Sequence, residues 1–160
     1  MPKAARAALE SVIAADVRAM TAESDQIGRH FAGRHDVAAN DFRALLHIMV
    51  AETSGVPLTA GDLRRRMGVS GAAITYLVER MIASGHVRRE ADPADRRKVL
   101  LRVADHGMDV ARGFFSPLAD HTRRALAGIS DDDLAAAHRT FTAVVDAMRA
   151  FRNELDANPG

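Results

Sequence analysis

The sequence predicts a mainly α-helical chain interrupted by one short two-stranded β-hairpin. Three observations carry this expectation. Apolar residues recur at three- and four-residue steps through most of the 160 residues. Two short helical stretches meet at a tight turn, Met67-Gly68-Val69-Ser70. The period changes to two on either side of Asp92-Pro93-Ala94-Asp95, a string with turn chemistry.

The elements follow in order. Residues 4–32 carry Leu9, Val12, Ile13, Met20, Ile27 and Phe31 at helical spacing, which predicts a long amphipathic helix. A second helix starts at an Asn40 or Asp41 cap. It turns Phe42, Leu45, Leu46 and Met49 to one side and ends near Gly55, before Pro57. Thr59 and Asp62 have the spacing of a capping box and open a short helix that stops at Gly68. Ser70 caps the next helix, whose Ile74, Leu77, Val78, Met81 and Ile82 form an inward stripe; Ser84-Gly85 closes it. Residues 86–91 and 98–103 read as strands, with Val99, Leu101 and Val103 on one face. Asp105 caps a long helix reaching about Ala127, with Pro117 as a site for a kink. Ser130 and Asp133 begin the last helix, which carries Leu134, Phe141, Val144, Val145, Met148 and Leu155.

Composition narrows the function classes. A hydrophobic share of 48% and a charged share of 27% describe an ordinary globular chain of one domain. Cysteine is absent, so disulfides, thiolate metal sites and cysteine nucleophiles are excluded. Aromatics are 4%, too few for a platform that stacks the bases of single strands. No apolar run approaches the ~18 residues of a membrane span. Arg6, Glu10, Asp16 and Arg18 interrupt what a signal peptide would keep apolar. The expected location is the cytoplasm, with no membrane partner. There is no Gly-rich phosphate loop and no G-x-S-x-G elbow, so the chain is not expected to be an enzyme and no catalytic residue is assigned. Asp131-Asp132-Asp133 fan around a helix start and complement its dipole.

Charge points to a polyanion. The net charge is +1, but residues 59–104 hold ten Lys or Arg and five acids, giving +5, while the rest of the chain carries −4. Within this basic segment the two short helices form a helix-turn-helix. The outer N-terminal face of the second offers Ser70, Gly71, Ala72, Ala73, Thr75 and Tyr76, with Arg80 one turn on. Small residues let a helix backbone sit deep in a major groove, and hydroxyls reach phosphates or base edges. Arg64, Arg65 and Arg66 on the first short helix are expected to contact phosphates. The hairpin tip gathers Arg96, Arg97 and Lys98. Asp92 or Asp95 would hold one Arg in a fixed pose, ready for a narrow minor groove.

Residues 59–107 resemble the winged helix-turn-helix of the multiple-antibiotic-resistance-regulator (MarR) family. The resemblance rests on Leu58-Thr59, Asp62-Leu63, Val69-Ser70, the ending Met81-Ile82-Ala83-Ser84-Gly85, the wing Asp92-Pro93-Ala94-Asp95-Arg96-Arg97, and Gly107. One departure is Ala104-Asp105, where the family often has Leu-Thr. The resemblance implies a homodimer joined by its terminal helices, here residues 1–35 and 108–160, around a DNA-binding lobe at 40–107. It also implies a repressor released from a palindromic operator on double-stranded DNA by a small aromatic or amphipathic ligand.

Other readings compete. Phe31, His47, Phe114 and Phe115 can line a ligand pocket or simply pack. Seven histidines invite a metal-responsive regulator, but no HExxH-type pair occurs and no metal or other cofactor is expected. A winged-helix module for protein contact is the remaining alternative. It does not need the +5 segment or the Arg-tipped wing.

Overall fold

A computed structural model describes residues 3–35 and 37–157. Six helices and a small sheet follow in the order α1 (Lys3–His35), α2 (Ala39–Thr53), β1 (Leu58–Thr59), α3 (Ala60–Met67), α4 (Gly71–Ala83), β2 (Val87–Ala91), β3 (Val99–Val103), α5 (Asp105–Leu126) and α6 (Asp131–Ala157). The chain divides into two compact units, residues 1–114 and 115–160, with α5 running through the division.

The first unit is built on one apolar core. Ala44, Ile48 and Ala51 of α2, Leu58 of β1, Leu63 and Met67 of α3, and Ile74, Leu77, Val78 and Met81 of α4 are buried together with Val87 and Leu101 of the sheet. The inward stripe expected for α4 is found at those four positions, with Ile82 packed at its margin. Gly68 and Gly85 both adopt positive φ, 65° and 74°, ending α3 and α4 where a side chain would be strained. Gly107 meets a different limit. A Cβ there would lie 2.5 Å from the His86 carbonyl oxygen, so the start of α5 sits against the base of β2 only because the side chain is missing.

Several local expectations are corrected. Neither Asn40 nor Asp41 caps α2. Ala38 occupies that place with no side-chain bond, and Asp41 is buried inside the first turn. The inward face of α2 is Asp41, Ala44, Ile48 and Ala51, whereas Leu46 is exposed. Two alanines carry little apolar signal, so the larger Leu46 drew the expected stripe to the wrong side. Asp105 stands within the first turn of α5 rather than before it; Pro117 lies inside α5, as the sequence predicts.

The expected hairpin forms, with β2 antiparallel to β3 from Val87↔Val103 to Ala91↔Val99. It is joined by a strand the sequence does not announce. Leu58 and Thr59 pair with Leu101 and Leu100, making a three-stranded sheet in the order β1-β3-β2. Two residues are too few to show a period. β1 covers the free edge of β3 at its middle, where Leu100 and Leu101 are both buried, while Val99 is exposed. Val99, Leu101 and Val103 alternate along one face as expected, but only Leu101 of the three is fully buried.

The second unit is the end of α5 and all of α6. Ser130 caps α6, accepting from the Asp133 amide at 3.2 Å and donating its hydroxyl to the Asp133 carboxylate at 2.7 Å. No residue of α6 is buried.

Candidate nucleic-acid interface

The helix-turn-helix is held by its caps. Thr59 accepts from the Asp62 amide at 3.2 Å, and Asp62 accepts from the Thr59 amide at 2.9 Å, a complete capping box. Partial burial works against ionisation of Asp62. The hydrogen bonds from Thr59, reinforced by Arg65 and Arg66, outweigh it and hold the carboxyl below its usual value. Ser70 then caps α4, accepting from the Ala73 amide at 3.2 Å.

With Ile74, Leu77, Val78 and Met81 turned inward, the opposite face of α4 is open. Ser70, Gly71, Ala72, Ala73, Thr75, Tyr76 and Arg80 are all exposed, as the spacing predicts. The Thr75 hydroxyl donates to the Gly71 carbonyl at 2.9 Å, which leaves its lone pairs outward.

The cations divide into held and unheld groups. Arg65 is paired with Asp62 and Arg97 with Asp95. Arg80 reaches back to α2, its Nε donating to Asp41 Oδ2 at 2.8 Å, and its guanidinium lies 5.1 Å from the centre of the Tyr76 ring. Arg80 is thus a link between α4 and α2 as well as a surface cation. Among the described residues Arg64, Arg66, Arg96 and Lys98 are exposed and form no ion pair. They are the charges most open to a phosphate.

The wing tip separates two roles that the sequence left joined. Asp92 accepts from the Ala94 amide at 2.8 Å and shapes the turn. Asp95 accepts from the Arg97 amide at 3.1 Å and from its Nε at 3.3 Å. Asp95 is therefore the residue that orients an Arg. The Arg97 side chain remains 93% exposed.

The residues considered for a ligand pocket are placed differently. Phe31 is buried, and its ring lies 5.1 Å from Phe114, 5.0 Å from Phe42 and 4.8 Å from His35. His47 is half-buried on α2, and Phe115 opens the second unit. A cavity of about 420 Å³ lies elsewhere in the first unit, lined by His35, Asp41, Leu45, Arg80, Ser84 and His86 among others. None of the four expected residues lines it. Burial, and then the neighbouring His106, push His86 below its ordinary value. Asp41, which lines this cavity and holds Arg80, is not among the residues the sequence singles out for a site. Its signal was an acid in step with Ala44, Ile48 and Ala51 on an otherwise apolar face. Among the described residues no three His, Asp or Glu side chains converge as a metal site.

A family model described as the MarR family matches residues 35–98, the stretch that holds the helix-turn-helix and most of the wing. Over that stretch the chain is similar to the MarR family. It is 33% identical over 78 residues to the uncharacterized HTH-type transcriptional regulator YcgE of Bacillus subtilis, covering 49% of this chain and 51% of that one. The chain spans about half to three-fifths of the length of the curated relatives it matches. Solved structures share the MarR fold over most of the chain. A MepR mutant from a multidrug-resistant S. aureus clinical isolate aligns with a TM-score of 0.67 at 13% identity, covering 85% of this chain and 96% of that one. A MepR mutant bound to an oligodeoxyribonucleotide aligns with a TM-score of 0.51 at 15% identity, covering 85% and 97%.

Proposed function

We propose that this chain is a sequence-specific regulator of transcription that binds double-stranded DNA as a homodimer. The observation that carries the reading is the open face of α4, small and hydroxyl-bearing, flanked by the unpaired cations of α3 and of the wing tip. In this reading Ala72, Ala73, Thr75 and Tyr76 face base edges in the major groove. Ser70, Gly71 and the α4 N-terminus approach a phosphate. Arg64, Arg65 and Arg66 contact phosphates, and Arg96, Arg97 and Lys98 reach the neighbouring groove. Arg80 supports this surface from its link to Asp41. A family neighbour solved on an oligodeoxyribonucleotide supports the same reading.

Residues 40–107 form the DNA-binding lobe, and residues 1–35 and 108–160 join two copies. The exposed apolar residues of α6 support this assignment, since Phe141, Val145, Met148, Phe151 and Leu155 gain nothing from facing water. The regulator is a cytoplasmic repressor of a palindromic operator, released by a small aromatic or amphipathic ligand. No helix among the described residues is long and apolar enough to cross a membrane.

Selection of duplexes from a random pool tests the reading. It should return paired half-sites whose centres lie about 10 base pairs or a multiple apart. Neutralising Arg64 or Arg66 should weaken selected and random duplexes alike and lower the salt slope by about 1. Recovery of no preferred sequence would refute it.

A further inference from the structure

The wing is useful to DNA binding only if its tip is held at a fixed place relative to α4. Beyond the core that Val87 and Leu101 share with α4, two polar contacts on the sheet do this. One is Arg89 of β2 with Glu79 of α4, at 2.6 Å, and it is about half-exposed on both sides. Exposed pairs of that kind contribute little. The other lies deeper and comes from α2.

β1 ends its register at Leu58↔Leu101 and does not extend along β3 as far as Val103. The Val103 amide therefore stands past the end of the β1–β3 ladder, in a half-buried position where an unmade hydrogen bond is costly. Glu52, in the last turn of α2, supplies the acceptor. Its Oε2 receives the Val103 N–H at 3.2 Å. Its Oε1 lies 3.5 Å from Arg102 Nη1, and Arg102 Nε lies 3.4 Å from Glu90 Oε1 on β2. Glu90 in turn accepts from Arg88. One carboxylate thus takes the place of the missing strand at the base of β3 and reaches β2 through Arg102 and Glu90. The Arg102 side chain is only 21% exposed, which shields the link from solvent.

We infer that Glu52 is the positioning residue of the wing, fixing the hairpin to α2 so that Arg96 and Arg97 meet DNA in register with α4. The inference rests on the DNA-binding reading above. Leverage gives it weight. A strand rises about 3.4 Å per residue, so the tip lies roughly 17–20 Å from the clamp. A tilt of about 10° at the base moves the tip by roughly 3 Å. A shift of that size breaks a hydrogen bond.

The test has one arm without DNA and one with it. In the full chain, Glu52→Ala should raise amide exchange at Val103 and along β3 by about tenfold, with α3 and α4 unchanged. Glu52→Gln keeps an acceptor and loses the charge, so it should fall between parent and Ala. In the DNA arm the probe is a duplex that the parent selects from a random pool. Glu52→Ala should weaken binding to it by about 3- to 10-fold. The same substitution added to the Arg96→Ala, Arg97→Ala double variant should cost nothing further, because the tip it positions is gone. Unchanged exchange at Val103 overturns the inference. So does an equal rise across α3 and α4, or an affinity loss that persists in the wing-tip variant. If the parent selects no duplex, the regulatory reading falls, and the exchange arm alone decides whether Glu52 holds the wing.

Discussion

The lobe formed by α2 through β3 and helix α6 have similar apolar content but use it in opposite ways. The lobe closes Ile48, Leu63, Val78, Met81 and Leu101 into a core with almost no solvent contact. α6 buries nothing within its own unit, although Phe141, Val145, Met148, Phe151 and Leu155 repeat at helical steps along it. A stripe of that length left in water is unfavourable by the same hydrophobic term that holds the lobe together. The contrast teaches that the first set of side chains specifies a fold, whereas the second set stays exposed within its own unit and, in the proposed reading, is covered by a second copy.

Truncating one large residue on each side sharpens the contrast. Leu63→Ala removes a side chain that is 0% exposed and should lower the unfolding free energy by about 2–5 kcal/mol. Denaturant melts should show that loss at every protein concentration. A loss below 1 kcal/mol would mean that the lobe collapses around the gap and that its core is not closely packed. Met148→Ser with Phe151→Ser changes residues that are 57% and 61% exposed. Within a protomer this should cost under about 0.5 kcal/mol per site. Self-association should weaken at least tenfold, at about 1.5–3 kcal/mol per large side chain buried. Sedimentation across a dilution series reads it. Unchanged association would break the assignment of α6 to a subunit interface.

The smallest effect is one of pH and belongs to the lobe alone. Burial and the His106 ring hold His86 below 6.5, with Asp41 opposing and His35 assisting. The unfolded chain therefore binds this proton first as pH falls. The lobe has its full stability above about 6.5 and loses it as pH drops through the lowered His86 value. Thermal melts between about pH 7.5 and 5.5 should show a midpoint falling by a few degrees at most, and His86→Asn should flatten that slope. An unchanged slope in the variant would place the proton elsewhere.

What could be read in advance follows from how strongly each element repeats. α4 shows four large apolar residues in step, so its inward stripe and its open face were both legible, down to Ser70 and Tyr76. The Thr59–Asp62 and Ser130–Asp133 caps were legible because their chemistry is local. The inward face of α2 was not, since Ala44 and Ala51 say little and the decisive residue, Asp41, is an acid whose partner lies on another helix. β1 is too short to have a period. The choice between Asp92 and Asp95 needed the turn geometry, because both stand within reach of the same cations.

The pairing of β1 with β3 also bears on how the lobe is reached from the unfolded chain. Leu58 meets Leu101 across a stretch of chain that holds α3, α4 and β2. Bringing the ends of such a loop together costs conformational entropy before any ladder bond forms. The β2–β3 hairpin spans a short stretch of chain, and the helices relax within about a microsecond. Non-local closure is the slow event in chains of this kind. Together with the Glu52–Val103 contact, the pairing of residues 58 and 101 raises the contact order of the lobe, so the lobe is expected to fold more slowly than a bundle of helices with local contacts alone.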